Sequence, residues 1–97
     1  MNNIRPIHPG EILKEEYLEP LGMSANALAK ALHVSAPRVN DLVRQRRAVS
    51  IDTALRLARY FNTTAQFWLN LQNSYDLKIA QVSKTEIEKE ILPLQVA

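Results

Sequence analysis

Between residues 36 and 61 the chain carries six cations, and all six are arginine: Arg38, Arg44, Arg46, Arg47, Arg56 and Arg59. Only Asp41 and Asp52 oppose them, so this stretch has a net charge of +4, while the segments before and after it are each −1. Arginine presents a planar fork of donors that fits a phosphate, or the edge of guanine, with two hydrogen bonds at once. Asn40 lies among these cations, and an Asn amide matches the edge of adenine. Ala36 and Pro37 are small and apolar, suited to contact with a thymine methyl. Asp41 is unfavourable beside phosphates; it either accepts from a cytosine amino group or serves as the ion-pair partner of Arg38 or Arg44. The chemistry on offer is noncovalent recognition of a polyanion with readable base edges.

Such side chains need a helix to present them. The stretch SANALAKALHVSAPRVNDLVRQRR, residues 24–47, reads as two short helices joined by a tight turn. Ser24 is a candidate N-cap, and strong helix formers follow it. Leu28 and Leu32 share one face, and Ala29 beside them lets a second helix cross closely. His33 breaks the run, Val34 plugs the turn, and Ser35 is a second N-cap. Pro37 falls in the first turn of the next helix, where a missing N–H costs little. Val39, Leu42 and Val43 then point inward. Ala36, Pro37, Asn40, Asp41 and Arg44 lie on the opposite face, with Arg38 at its edge. This is the layout of a helix-turn-helix that lays its second helix in the DNA major groove. Spacing alone also fits an ordinary αα-hairpin with a solvated polar face; the concentration of arginine favours nucleic acid.

The remaining elements also read as helices. One runs near Pro9 to Glu19, with Ile12, Leu13, Tyr17 and Leu18 inward and Glu11, Glu15, Glu16 and Glu19 outward; Pro20-Leu21-Gly22 ends it. Ser50 caps a fourth helix, in which Ile51, Ala54, Leu55, Leu57, Ala58 and Phe61 form a broad buried stripe and Arg56 and Arg59 lie off it. After the turn Asn62-Thr63-Thr64, a fifth helix carries Phe67, Trp68, Leu71 and Tyr75 and runs on toward Leu77 and Ile79. Phe67 and Trp68 are adjacent, so both cannot pack tightly in one core; either both are wrapped in it loosely or one covers a partner surface. From Ser83 the character changes. Ile87 and Ile91 suit a short amphipathic helix, Pro93 breaks it, and Leu94-Gln95-Val96 adds an extended end. The expected fold is all-α, with a five-helix domain over residues 1–82 and a C-terminal tail, 83–97, that offers a dimer or partner contact.

Composition narrows the function further. Ninety-seven residues make one domain with a modest core. The chain has no cysteine, which excludes a disulfide scaffold and any cysteine-based zinc site. No apolar run approaches the ~20 residues of a membrane span, and the opening MNNIRPIHPGE lacks the apolar stretch of a secretory signal. A cytoplasmic location is expected. His8 and His33 are the only histidines and stand far apart. No metal-ligand spacing, glycine-rich phosphate loop or Ser-His-Asp arrangement is present, so neither catalysis nor a cofactor is expected.

The segments HPGEILKEEYLEPLGMS, LAKALHVSAPRVNDLVRQRRAVSIDTALRLARYF and NTTAQFWLNLQNSYDL together resemble the HigA-type antitoxins, within the larger family of Cro- and lambda-repressor-like helix-turn-helix proteins. The similarity covers about residues 7 to 80. It implies a five-helix DNA-binding domain that forms a homodimer on a palindromic operator in the promoter of its own operon. It also implies a protein partner, a small mRNA-cleaving toxin of the HigB type that the antitoxin neutralises. Carried over by position, the DNA-binding residues are Ser35, Ala36, Pro37, Arg38, Asn40, Asp41, Arg44, Arg46 and Arg47. Ala36, Pro37, Asn40 and Asp41 would face bases, and the four arginines would face the backbone or the groove edges. Two positions depart from the family. The turn commonly has Gly where this chain has His33, which implies a strained or left-handed geometry at some cost. Asn-Gly often follows the reading helix where this chain has Arg44-Gln45. The small residues Ala36 and Pro37 also imply that specificity leans on DNA shape. Two alternatives stay open: a stand-alone repressor without a toxin, and a protein-interaction module in which the aromatic pair and the tail do the work.

Overall fold

In a computed structural model that describes residues 5–95, helices follow one another through short turns. Helix α1 spans 9–21. The next four are α2 (Ala25–Leu32), α3 (Ala36–Val43), α4 (Ile51–Phe61) and α5 (Ala65–Ile79), and α6 (Gln81–Glu90) follows. No strand is present among the described residues. Residues 1–4 at the start of the expected domain, and Val96 and Ala97 of the tail, lie outside the described residues. Helix α6 begins at Gln81 and therefore straddles the expected boundary between 82 and 83.

The helix starts follow from their caps. The hydroxyls of Ser24, Ser50 and Thr64 accept from the backbone N–H groups of Ala27, Thr53 and Phe67, each satisfying a donor that the first turn would otherwise leave unpaired. Ser35 occupies the same position before α3 but makes no such bond. Pro37 is the second residue of that helix and has no N–H to give, while the Arg38 N–H is taken by the Ser35 backbone carbonyl at 3.1 Å. The Ser35 side chain is exposed at the surface, without a hydrogen-bond partner among the described residues.

The helix ends share one closure. Gly22, His33, Gln45 and Asn62 all have positive φ, near 60°. The residue after each reaches back five positions: Met23 to Leu18, Val34 to Ala29, Arg46 to Asp41 and Thr63 to Ala58. This left-handed closure satisfies the last carbonyls of a helix and reverses the chain. His33 adopts the left-handed conformation that its position in the turn required. Within α1 the stretch Leu13–Leu18 is π-helical, with the Glu19 N–H bonded to the Lys14 carbonyl. The widened turn makes room for Pro20, whose ring would collide with a carbonyl one ordinary turn back.

The core is built from Leu13 and Leu18 of α1, Leu28, Ala29 and Leu32 of α2, Val39 and Leu42 of α3, Val49, Ala54 and Leu57 of α4 and its approach, and Trp68 of α5. Tyr17 and Phe61 tilt against Trp68, and the Trp68 indole N–H donates to the Thr63 hydroxyl at 2.8 Å. Trp68 is fully buried, whereas Phe67 packs edge-on against it and stays partly exposed, so the adjacent pair divides between core and surface. The α4 stripe is narrower than its periodicity suggests. Ala54 and Leu57 are buried, but Ile51 and Leu55 remain more than half exposed. A helix buries only the arc that neighbours cover, and α2 and α5 cover the arc of Ala54 and Leu57. Helix α6 buries nothing; Ile87 and the cap residue Ile91 are both exposed.

Candidate nucleic-acid interface

Helix α3, its N-cap position Ser35 and the loop behind the helix carry every site residue expected from the sequence. Val39 and Leu42 anchor the helix in the core, and Val43 is half-buried beside them. That leaves Pro37 and Arg44 exposed and Ala36, Asn40 and Asp41 half-exposed. Past Arg44 the chain turns through Gln45 at φ 64, which projects Arg46 and Arg47 into solvent next to the helix end. Arg44 and Arg46 have no side-chain partner among the described residues, so their charges are fully available. Glycine has no Cβ to strain at positive φ, and Gln45→Gly is expected to stabilise the fold by about 0.5–1 kcal/mol in urea unfolding. A loss of stability would mean that the Gln45 side chain holds the loop.

The loop is pinned from behind. The Val49 side chain is buried, and its N–H donates to the Gln72 carbonyl oxygen at 2.8 Å. The Gln72 amide in turn donates to Asp76 at 3.0 Å. At the N-terminal end of α1, the Nδ1 atom of buried His8 accepts from the Gly10 N–H at 2.8 Å and caps the helix. The His8 ring meets Tyr75 edge-on. Burial pushes the His8 pKa below its usual 6.5, against the opposing pulls of the Asp76 carboxylate and a backbone hydrogen bond at Arg47. The arginine loop is therefore braced by α5 and by the start of α1.

A pH dependence follows from that shift. Between the depressed folded value and 6.5, the unfolded chain binds more protons at His8 than the folded chain does. Stability is therefore complete above 6.5, falls as the pH drops through it, and levels off once the folded site protonates. Protonated Nδ1 also cannot accept from Gly10. His8→Asn supplies a non-titrating cap. Its urea midpoint should decline less than that of the wild type between pH 7.5 and 5.5; parallel declines would remove His8 as the cause.

The arginines divide into two groups. Arg38 turns sideways to α4, where its guanidinium donates to Asp52 at 2.6 Å and reaches the Thr53 hydroxyl at 3.4 Å. Arg56 donates to the same Asp52 oxygen at 2.9 Å and to the Leu32 backbone carbonyl at 2.8 Å, closing the end of α2. Hydrogen bonds from Arg38 and then Arg56 hold the Asp52 carboxyl below the usual carboxylate range. These two arginines clamp the motif. Asp41 pairs with Arg47 at 3.4 Å, and not with either of the ion-pair partners expected from the sequence, Arg38 and Arg44. Arg38 is already committed to Asp52, and the left-handed turn at Gln45 brings Arg47 back over Asp41. The Asn40 amide nitrogen donates both to the Asn26 side-chain oxygen at 2.8 Å and to the Ala36 carbonyl at 2.9 Å.

Sequence reasoning missed Asn26, Gln72 and Asp52 as parts of this assembly. Each acts across 14 or more positions, and no local pattern marks such a pairing. Arg59 is exposed on α4 and is not brought to α3 by any bond.

The HTH_3 helix-turn-helix family profile matches residues 14–68. The chain is 59% identical to virulence-associated protein I of Dichelobacter nodosus, over 96% of this chain and 85% of that protein. It is 37% identical to antitoxin HigA-1 of Vibrio cholerae, over 96% of this chain and 88% of that one. Among solved structures, Pseudomonas aeruginosa antitoxin HigA with the higBA promoter matches at a TM-score of 0.90 and 56% identity, covering 94% of this chain and 100% of that one. With the interhelical turn, the outward polar face and these similarities in agreement, the chain belongs to the helix-turn-helix family whose members include the HigA antitoxins.

Proposed function

We propose that this chain is a DNA-binding antitoxin of the HigA type, a cytoplasmic autorepressor of its own operon that also neutralises a HigB-type mRNA-cleaving toxin. One observation carries the reading. The exposed cations Arg44 and Arg46, without a side-chain partner among the described residues, flank the outward face of α3 in a chain 56% identical to an antitoxin solved with promoter DNA. The protein acts by binding, not by catalysis.

A homodimer places two α3 helices in successive major grooves, about 34 Å apart, on a palindromic operator. Ala36, Pro37, Asn40 and Asp41 face the bases, with the Ser35 hydroxyl beside them. Arg44 and Arg46 contact phosphates, and Arg47 follows them at the groove edge while offsetting Asp41. Arg38 acts at the margin, where its bond to Asp52 fixes α3 against α4. Occupancy of the promoter by the dimer excludes polymerase. The exposed apolar residues of α6 and the tail, among them Val82, Ile87, Leu92 and Leu94, supply a dimer or toxin contact.

The test is a fluorescence-anisotropy titration against a duplex from the region upstream of the chain's own reading frame. A scrambled duplex and two salt concentrations serve as controls. Tight, salt-sensitive and sequence-preferring binding at two chains per site is expected. Equal, weak binding to both duplexes would shift the assignment to a protein-interaction module.

A further inference from the structure

We infer that Asn26, at the second position of α2, sets what Asn40 reads by holding its amide N–H donors away from the bases. The inference rests on the proposed role of Asn40 as a base reader. An Asn amide has two N–H donors and one carbonyl acceptor. Both donors of Asn40 are engaged, one by the Asn26 oxygen at 2.8 Å and one by the Ala36 carbonyl at 2.9 Å. What remains for DNA is the Asn40 carbonyl oxygen alone. The Ala36 bond lies within one helix turn and does not depend on Asn26. The Asn26 bond crosses between the two helices of the motif and depends on one exposed side chain.

The consequence is a change in code. A free Asn pairs with adenine through two bonds, accepting from N6–H and donating to N7. An Asn that can only accept does not distinguish adenine from cytosine, because both present an exocyclic amino donor in the major groove. Guanine and thymine present acceptors there and are rejected. Wild-type protein should therefore take adenine and cytosine about equally at the position facing Asn40. Without Asn26, one donor is released, the two-bond adenine pairing becomes available, and adenine is preferred.

The test is selection from a randomised duplex library by the full-length protein and three variants, Asn40→Ala, Asn26→Ala and Asn26→Asp. Asn40→Ala identifies the base step at issue by abolishing preference there. At that step Asn26→Ala should raise the adenine-to-cytosine ratio by about fivefold or more, the lower end of the discrimination a two-bond pairing provides. Asn26→Asp keeps an acceptor for Asn40, so it should retain the wild-type ratio while binding all duplexes more weakly through its added negative charge. A merely structural role would lower affinity on every sequence and leave the ratio in place. If Asn40→Ala changes the profile and Asn26→Ala does not, the inference is wrong and the reading of Asn40 stands. If Asn40→Ala also leaves the profile unchanged, Asn40 is not a base reader and both fall together. Thermal unfolding of each variant confirms that the comparison is between folded proteins.

Discussion

Gly10→Ala is expected to destabilise the protein by about 3 kcal/mol or more, at the upper end of the cost of overpacking a fitted contact. The cause is steric and lies in the backbone. A Cβ on Gly10 would overlap the carbonyl oxygen of Leu42 and stand 2.8 Å from its carbonyl carbon. Neither atom belongs to a flexible side chain that can swing aside. Leu42 sits in α3 with its side chain in the core, so relief requires α1 and α3 to separate. That separation pulls on His8, which caps α1 through Gly10 itself and braces the arginine loop. A domain of this size has a total stability of only ~5–15 kcal/mol, so the loss is a large share of it. Urea unfolding monitored by circular dichroism would measure it. DNA affinity should fall in the same variant, because the displaced element is the one that carries Asn40 and Asp41. A midpoint close to the wild-type value would show that α1 is not seated on α3 as described.

The second large effect concerns binding rather than folding. Arg44→Ala with Arg46→Ala should leave unfolding nearly unchanged, because both side chains are exposed and without a partner among the described residues. Binding is another matter. If each arginine meets one phosphate, a dimer loses four such contacts. Each contact contributes about 0.9 to the slope of log affinity against log salt, so the slope should become shallower by between about three and four. Extrapolated from the same relation, affinity near physiological salt should fall by roughly a thousandfold, on operator and scrambled duplexes alike. An unchanged slope would take both arginines off the DNA backbone. A loss confined to the operator would instead make them readers of guanine.

The contrast between the two variants reflects how the protein is assembled. Gly10 sits where two backbones touch, and its importance comes from the absence of an atom. The Arg44 and Arg46 side chains sit exposed, and their importance comes from charge that no side chain among the described residues neutralises. Arg38 and Arg56 have given up that freedom to close the gap between α4 and the helix-turn-helix, Arg38 through Asp52 and Arg56 through the Leu32 carbonyl, and Arg47 is paired with Asp41.

Local signals in the amino-acid sequence were read correctly where the physics is local. Ser24 and Ser50 announce helix starts because a capping hydroxyl acts within one turn. The inward positions Leu28, Leu32, Val39 and Leu42 follow from helical periodicity and are buried. Ser35 shows where such reading stops. The residue type and the position were right for a cap, but Pro37 removes one of the donors on which that cap depends.

The all-helical pattern, the two-helix motif with its outward polar face and the concentration of arginine around it are legible in the order of the amino acids alone. These follow from spacing, propensity and charge, properties that neighbouring residues share without reference to the rest of the chain. The tertiary structure decided which charges are free. Asp41 meets Arg47 only because a left-handed residue reverses the loop, and Arg38 meets Asp52 only because α4 packs beside α3. It also decided that Ile51 and Leu55 stay exposed, since α4 is covered along one arc, and that Asn40 is held by Asn26. Each of these outcomes depends on the distance between groups on different elements, a quantity that exists only once the helices have packed.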